Sequence, residues 1–376
     1  MMHDFGVSST HTIIMDLPLS LDPLNLAKNQ PVVAYDPTSP SRFGVFPRYQ
    51  PKDICWFETS PCCIFHTANS WNSTGPKTMA GSSRSEIVNM LACRLTSPSL
   101  VFSAGNLAAP TPIKEIPAHL QEQDQCRLYY YQFCLPQPAG LVASDRPGNQ
   151  HKITHQWALS TIAFEFPSLR ESASMSAAKY IYGCSVSGTS FGAALGRAVK
   201  INALVKVDVE TLIARGIQNA PTQITGCVDT RTIDEILASR EPHDPIKIFK
   251  MPEGWYAQES RFVPRVNGAS EDDGWILSYV FDESQLDEDE ECKPDAKSEL
   301  WIIDARNMTE VVARVHLPQR VPYGLHGNWF SEEDIQGQRP VENLRTMPRM
   351  EGSVESGSVA WRTWMATRRV LEGWLQ

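Results

Sequence analysis

Ten short β-rich runs, separated by turn-forming connections, constrain this 376-residue chain more than any other feature. They cover His11–Leu19, Glu86–Leu95, Arg127–Leu135, Trp157–Phe166, Lys179–Val186, Ala203–Val209, Ile246–Met251, Trp275–Phe281, Glu299–Ala305 and Ala313–Leu317. Runs of this length and composition, bounded by Gly, Pro, Asn and Asp, read as strands. Proline cannot donate to a strand ladder, and the 27 prolines concentrated between the runs suit an antiparallel all-β architecture. A sandwich and a propeller both satisfy this pattern.

One interruption reads differently. From Asp208 to Pro245, about 208–245, the sequence is helical: Thr232 and Glu235 form a capping box before ILASR, and Gly216 is placed to close a preceding short helix. It reads as a surface insertion. The acidic run Asp287–Glu291 reads as a solvated loop. The segment 331–376 forms a C-terminal extension ending in WRTWMATRRVLEGWLQ, where Trp361, Trp364, Arg368, Leu371 and Leu375 fall near one helical face. That amphipathic helix suits docking onto the protein's own surface, or peripheral seating at a membrane interface through its tryptophans with Arg362, Arg368 and Arg369.

Charge and cysteine usage exclude several classes. With 34 basic and 43 acidic residues the net charge is -9, and no basic cluster tracks a phosphate backbone, so no nucleic acid partner is expected. Nine cysteines, with no CxxC pair, fit a reducing, cytosolic compartment. No stretch of eighteen apolar residues occurs, and MMHDFGVSS carries no basic region followed by an apolar run. The expected setting is cytoplasmic, with peripheral membrane contact at most and no obligate protein partner.

Chemistry must then come from dispersed residues. There is no GxSxG elbow, and the glycine-rich GTSFGAALG at 188–196 lacks the lysine of a P-loop. None of the nine histidines makes an HExxH pair, and His151 and His155, in a polar stretch after PGN, read as loop residues. The most pointed candidate is His326 in VPYGLHGNWF. Gly324 and Gly327 open backbone conformations closed to other residues, so the imidazole can be aimed inward, while Tyr323 and Trp329 could wall a site. A metal ligand and a structural turn histidine are both consistent with that stretch alone.

Five ordered motifs narrow this. MHDFG at Met2–Gly6, FHTAN at Phe65–Asn69, EFP at Glu165–Pro167, ESRFVPR through EDDGW at Glu259–Trp275, and GLHG at Gly324–Gly327 resemble, in that order, the carotenoid cleavage oxygenases. That family includes lignostilbene dioxygenases and the retinal isomerohydrolase of pigment epithelium. The resemblance extends to about Phe330 and implies a seven-bladed β-propeller over 1–330, with a nonheme Fe(II) on its axis held by four histidines. His3, His66 and His326 match the second, third and fourth of these. The first would precede Met1, so the propeller is expected to be incomplete, with its opening blades missing.

The resemblance further implies that Glu165 and Glu259 accept hydrogen bonds from the outer nitrogens of ligand histidines, and that Phe65 lines a substrate tunnel. The aspartates of EDDGW, Asp272 and Asp273, read as turn residues bonded to backbone amides. The implied reaction is dioxygenase cleavage of a conjugated C=C bond in an apolar carotenoid, apocarotenoid or stilbene by O2, giving two carbonyl products. The alternative is a truncated, inactive family member that at best binds apolar ligands.

Overall fold

The structure is a computed structural model that describes residues 2–28, 32–77, 84–98, 125–136, 151–186, 200–324 and 326–338. The GTSFGAALG stretch and the C-terminal amphipathic segment lie outside the described residues. The chain divides into two compact units, Met1–Trp329 and Phe330–Gln376. The described part of the second holds a short helix, Glu332–Gln336, whose start is fixed by a capping box between Ser331 and Asp334.

The described residues of the first unit form four larger sheets and one two-stranded ribbon. The first sheet runs Gly6–Val7, His11–Asp16, Ser41–Pro47, Cys55–Thr59 and His151–Lys152. The second runs from Cys227–Asp229 through His155–Ser160, Cys126–Cys134 and Arg84–Leu95 to Cys63–Lys77. The third takes Glu165–Ser168, Tyr180–Ser185, Ala203–Asp208 and Ile246–Lys250. In the fourth, Trp255–Ala257 and Arg261–Pro264 both pair with Gly274–Asp282, followed by Glu299–Asp304 and Val311–His316.

Successive side chains of a strand point to opposite faces, and this places the core. On Arg84–Leu95, Leu91, Cys93 and Leu95 enter one buried cluster while Val88, Met90 and Ala92 enter another. The first of these clusters also takes Ile181, Ala203, Val205 and Val207 of the third sheet. The second takes Ile13, Phe43 and Phe57 of the first sheet. A third cluster joins Tyr182, Cys184 and Leu204 to Ile276, Val280, Trp301 and Ile303 of the fourth sheet. Consecutive sheets are therefore stacked face to face around intervening apolar layers, as the blades of a propeller are.

All ten runs read from the sequence contain strands, but Trp157–Phe166 is two strands in different sheets, His155–Ser160 and Glu165–Ser168. His151 and His155 lie on strands, contrary to the loop expected for them, and His155 stacks against Tyr130 and Trp157. In the helical region, the Thr232–Glu235 capping box begins Ile233–Ala238. Gly216 does not end its helix. Val209–Gln218 continues past it, and Gly216 is buried because Trp157 and Val228 leave no room for a Cβ. That helix also sinks Val209 and Leu212 into the first core cluster, so it is more than a surface insertion. The acidic run Asp287–Glu291 is exposed, as expected.

The EDDGW aspartates divide their work. Asp273 accepts from the Ala269 amide, the expected turn role, and pairs with Arg265 and Arg306. Asp272 instead forms a buried ion pair with Lys206 at 2.6 Å. Burial raises the Asp272 carboxyl, but hydrogen bonds and charge from Lys206, with Ser270, bring it below its ordinary value. Asp244 is similar: burial raises it, and Arg231 and the Ile246 amide outweigh that to lower it.

Gly274 of the same motif sits where its strand crosses Val263 and Pro264 so closely that a Cβ would collide with the Val263 carbonyl. Gly274→Ala is expected to cost about 1–3 kcal/mol, read as a lower urea midpoint, because a backbone atom cannot rotate away. Both depressed carboxyls contribute stability that is complete above the unfolded carboxylate range and is lost as pH falls through their folded values. Urea midpoints should therefore fall on acidification below about pH 4, and less steeply in Arg231→Ala, where Asp244 has lost its partner.

Candidate metal centre

The residues singled out from the sequence come from the terminal strands of the four sheets and the turns beside them. His3 precedes the edge strand Gly6–Val7, and His66 lies on the edge strand Cys63–Lys77. Glu165 begins the edge strand Glu165–Ser168, and Glu259 lies between the short strands Trp255–Ala257 and Arg261–Pro264. His326 follows the last strand on an irregular segment.

Three imidazoles meet there. The His3 and His66 ring centroids are 5.2 Å apart at 89°, and those of His66 and His326 are 5.1 Å apart at 80°. Each ring spends Nδ1 on an acceptor: His3 on the Phe65 carbonyl at 2.8 Å, His66 on Glu165 Oε2 at 2.6 Å, and His326 on Glu259 Oε2 at 3.2 Å. A carbonyl or carboxylate oxygen only accepts, so Nδ1 carries the proton and Nε2 keeps its lone pair. His66 Nε2 is buried and has no hydrogen-bond partner. A buried nitrogen left unpaired is costly unless something else occupies its lone pair.

Strand irregularities aim these groups. The pairing of Cys63–Lys77 with Arg84–Leu95 shifts register between Ile64 and Thr67, the interval that holds His66, and again between Thr67 and Asn69. A bulge of this kind turns a side chain out of the regular alternation. A further shift, in the third sheet, falls between Glu165 and Ser168, where Phe166 takes a left-handed backbone with φ 54°. That conformation is strained for a non-glycine residue. It brings the Phe166 amide onto Glu165 Oε2 at 2.6 Å and its ring within 5.5 Å of His66 and 6.1 Å of His326. Phe166 was not singled out from the sequence; Pro167, which cannot donate to a ladder, is the signal that marks the break.

The Gly324 and Gly327 backbones are ordinary. Neither has a positive φ, and a Cβ at Gly327 would meet open space. His326 is aimed by side chains instead. Gln258 accepts from the Gly324 amide at 3.1 Å and donates to the Pro322 carbonyl at 3.0 Å. Glu259 Oε2 takes the Gly327 amide at 2.9 Å, and Arg261 donates to the Gly327 carbonyl at 2.7 Å. Tyr323 bonds Glu283, and Trp329 is half exposed. Phe65 is partly buried against the first core cluster, with its ring 5.5 Å from that of His3.

Electrostatics favours positive charge at this point. Burial lowers the His66 pKa, but the Glu165 hydrogen bond and charge, with the charges of Asp4 and Glu259, outweigh it and raise the value overall. A dication would occupy the same favourable field. Imidazoles bound through Nε2 to one ion at about 2.1 Å have centroids roughly 4.5–5.5 Å apart, and both observed separations fall in that interval. Among the described residues no group of three or more His, Cys, Asp or Glu side chains is placed to hold a metal ion, so the structure shows two close ring pairs and not a formed three-ligand group.

If side chains and not glycine geometry hold the His326 segment, Gln258→Ala should speed amide exchange at Gly324. Gly327→Ala should leave stability within about 0.5 kcal/mol of the parent. Hydrogen exchange and urea titration check the pair, and the opposite ranking would restore the glycines to the role read from the sequence.

The chain is similar to several known proteins. A family model described as retinal pigment epithelial membrane protein matches residues 1–331. A carotenoid dioxygenase of Gibberella fujikuroi is 50% identical, over 99% of this chain and 57% of its own length. A carotenoid 9,10(9',10')-cleavage dioxygenase of Crocus sativus is 30% identical, over 90% of this chain and 50% of its own. Among solved structures, a cobalt-substituted apocarotenoid oxygenase of Synechocystis aligns with a TM-score of 0.55 at 17% identity, covering 88% of this chain and 53% of that one. The lignostilbene dioxygenase of Pseudomonas brassicacearum gives a TM-score of 0.55 at 17% identity, covering 87% and 54%. The chain thus spans about half the length of the curated relatives it matches.

Proposed function

This chain belongs to the carotenoid cleavage oxygenase family, and from that premise we propose that it acts as a nonheme Fe(II) dioxygenase. The substrate is an apolar polyene or stilbene, cleaved at a conjugated C=C bond. One O2 and one C=C become two C=O groups, so no reductant is consumed. The observation that carries the proposal is the set of three imidazoles whose Nδ1 atoms are all engaged, with His66 Nε2 buried and unpartnered.

His3, His66 and His326 would hold the iron through Nε2, and when bound it supplies the binding and activation of O2. Glu165 and Glu259 fix the tautomer and orientation of two of the rings and make them better donors. Phe65 and Phe166 present apolar ring surface beside the imidazoles, which offers a flat wall to a conjugated chain. Met2, Phe5 and Trp329, all half exposed next to ligand segments, extend that apolar surface outward. The nine free cysteines support a reducing, cytosolic setting. Among the described residues no helix is long and apolar enough to cross a membrane.

A second reading, binding of an apolar ligand without turnover, is favoured by one feature: the His326 side chain is 51% exposed, so water competes at that edge of the site. Iron content and product analysis on the intact chain separate the two. The first reading expects about one iron per chain, loss of that iron in His66→Ala, and both atoms of labelled O2 in the two carbonyl products. Iron-loaded wild type that leaves carotenoids, apocarotenoids and stilbenes intact would select the second; wild type that cannot be loaded at all would sink the first.

A further inference from the structure

We infer that Asp4 is a positioning residue that clasps the His3 segment to the His66 strand and so sets the mutual placement of two ligand histidines. The inference rests on the metal reading above and deepens it. Asp4 follows His3 in sequence as Thr67 follows His66, and the two are joined twice. Asp4 Oδ2 accepts from the Thr67 amide at 2.8 Å and from the Thr67 hydroxyl at 2.7 Å. Its other oxygen, Oδ1, accepts from the Phe5 amide at 2.7 Å, which fixes the carboxylate plane.

A third link runs alongside, from His3 Nδ1 to the Phe65 carbonyl. Residues 3–4 are thus laced to residues 65 and 67, with His66 between the two points of attachment. The register shifts around Thr67 explain why a side chain is needed there. Where the ladder to Arg84–Leu95 is interrupted, the Thr67 amide requires another acceptor, and Asp4 supplies it. A charged acceptor makes these bonds shorter and stronger than neutral ones. The segment that carries His3 has little else to hold it, since Met2, His3 and Phe5 are all exposed. A chain end without such a tie frays.

Asp4 touches neither substrate nor reacting atoms in this account. Its effect passes through His3. Removing it should therefore weaken metal binding while leaving the fold of the metal-free chain nearly intact, because the carboxylate is only partly buried and belongs to no core cluster.

The test uses the full chain and Co(II) alone as probe, read by its visible absorption and by competition for affinity. Asp4→Ala should bind Co(II) about 10–100-fold more weakly than wild type, with an altered ligand-field spectrum and only a small fall in the thermal midpoint of the metal-free protein. Thr67→Val, which keeps the amide bond and loses the hydroxyl bond, should fall between the two. If Asp4→Ala does not fold, Asp4→Asn with Thr67→Val carries the same comparison. Wild-type affinity and spectrum in both variants would overturn the clasp while leaving the metal centre standing. Wild type that takes no Co(II), or His66→Ala that takes it equally well, would remove the metal centre and the clasp with it.

Discussion

The structure around the candidate centre depends on one contact, the 2.6 Å hydrogen bond between His66 Nδ1 and Glu165 Oε2. It joins the edge strand of the second sheet to that of the third, and the apolar layer between those two sheets is the largest core cluster of the first unit. The same oxygen takes the Phe166 amide, so a single carboxylate orients the imidazole and satisfies a strained backbone at once. Burial alone would favour a neutral ring. The Glu165 hydrogen bond and charge outweigh that, and the His66 pocket becomes one that stabilises positive charge.

Regular strands are poorly suited to converging several side chains on one point, because alternation sends half of them to each face. Here the convergence is produced by faults in the ladders. His66 lies within one register shift and just before another, and Phe166 occupies a further one in a conformation that costs about 1–3 kcal/mol. The apolar layers between neighbouring sheets supply the stability that holds such faults in place.

Much of this was legible in the sequence for a plain reason: strands buried on both faces need β-rich runs whatever their neighbours do, and those runs are visible one at a time. His3, His66, His326, Glu165 and Glu259 were legible only as a resemblance, through ordered motifs, since they lie far apart along the chain. What the sequence hid is pairwise. Nothing local distinguishes Asp272, which pairs with Lys206, from Asp273, which caps a turn. Gly216 looked like a helix end because its burial against Trp157, on another sheet, cannot be read from its neighbours. Gly324 and Gly327 looked like hinges, yet the atoms that aim His326 belong to Gln258, Glu259 and Arg261.

The three histidines differ in how much the fold does for them. His66 is held by a strand and by Glu165 above the first core cluster, so the fold itself fixes its ring. His3 and His326 lie on irregular segments and are exposed, and for both the fold substitutes side-chain anchors: Asp4 in one case, Gln258, Glu259 and Arg261 in the other. Ordering such segments costs conformational entropy, about 1–2 kcal/mol for each residue fixed. Anchors already in place in the metal-free chain would remove that cost from the proposed binding step. The carboxylates among those anchors, Asp4 and Glu259, also add negative charge near His66, so the groups that supply order supply the field as well.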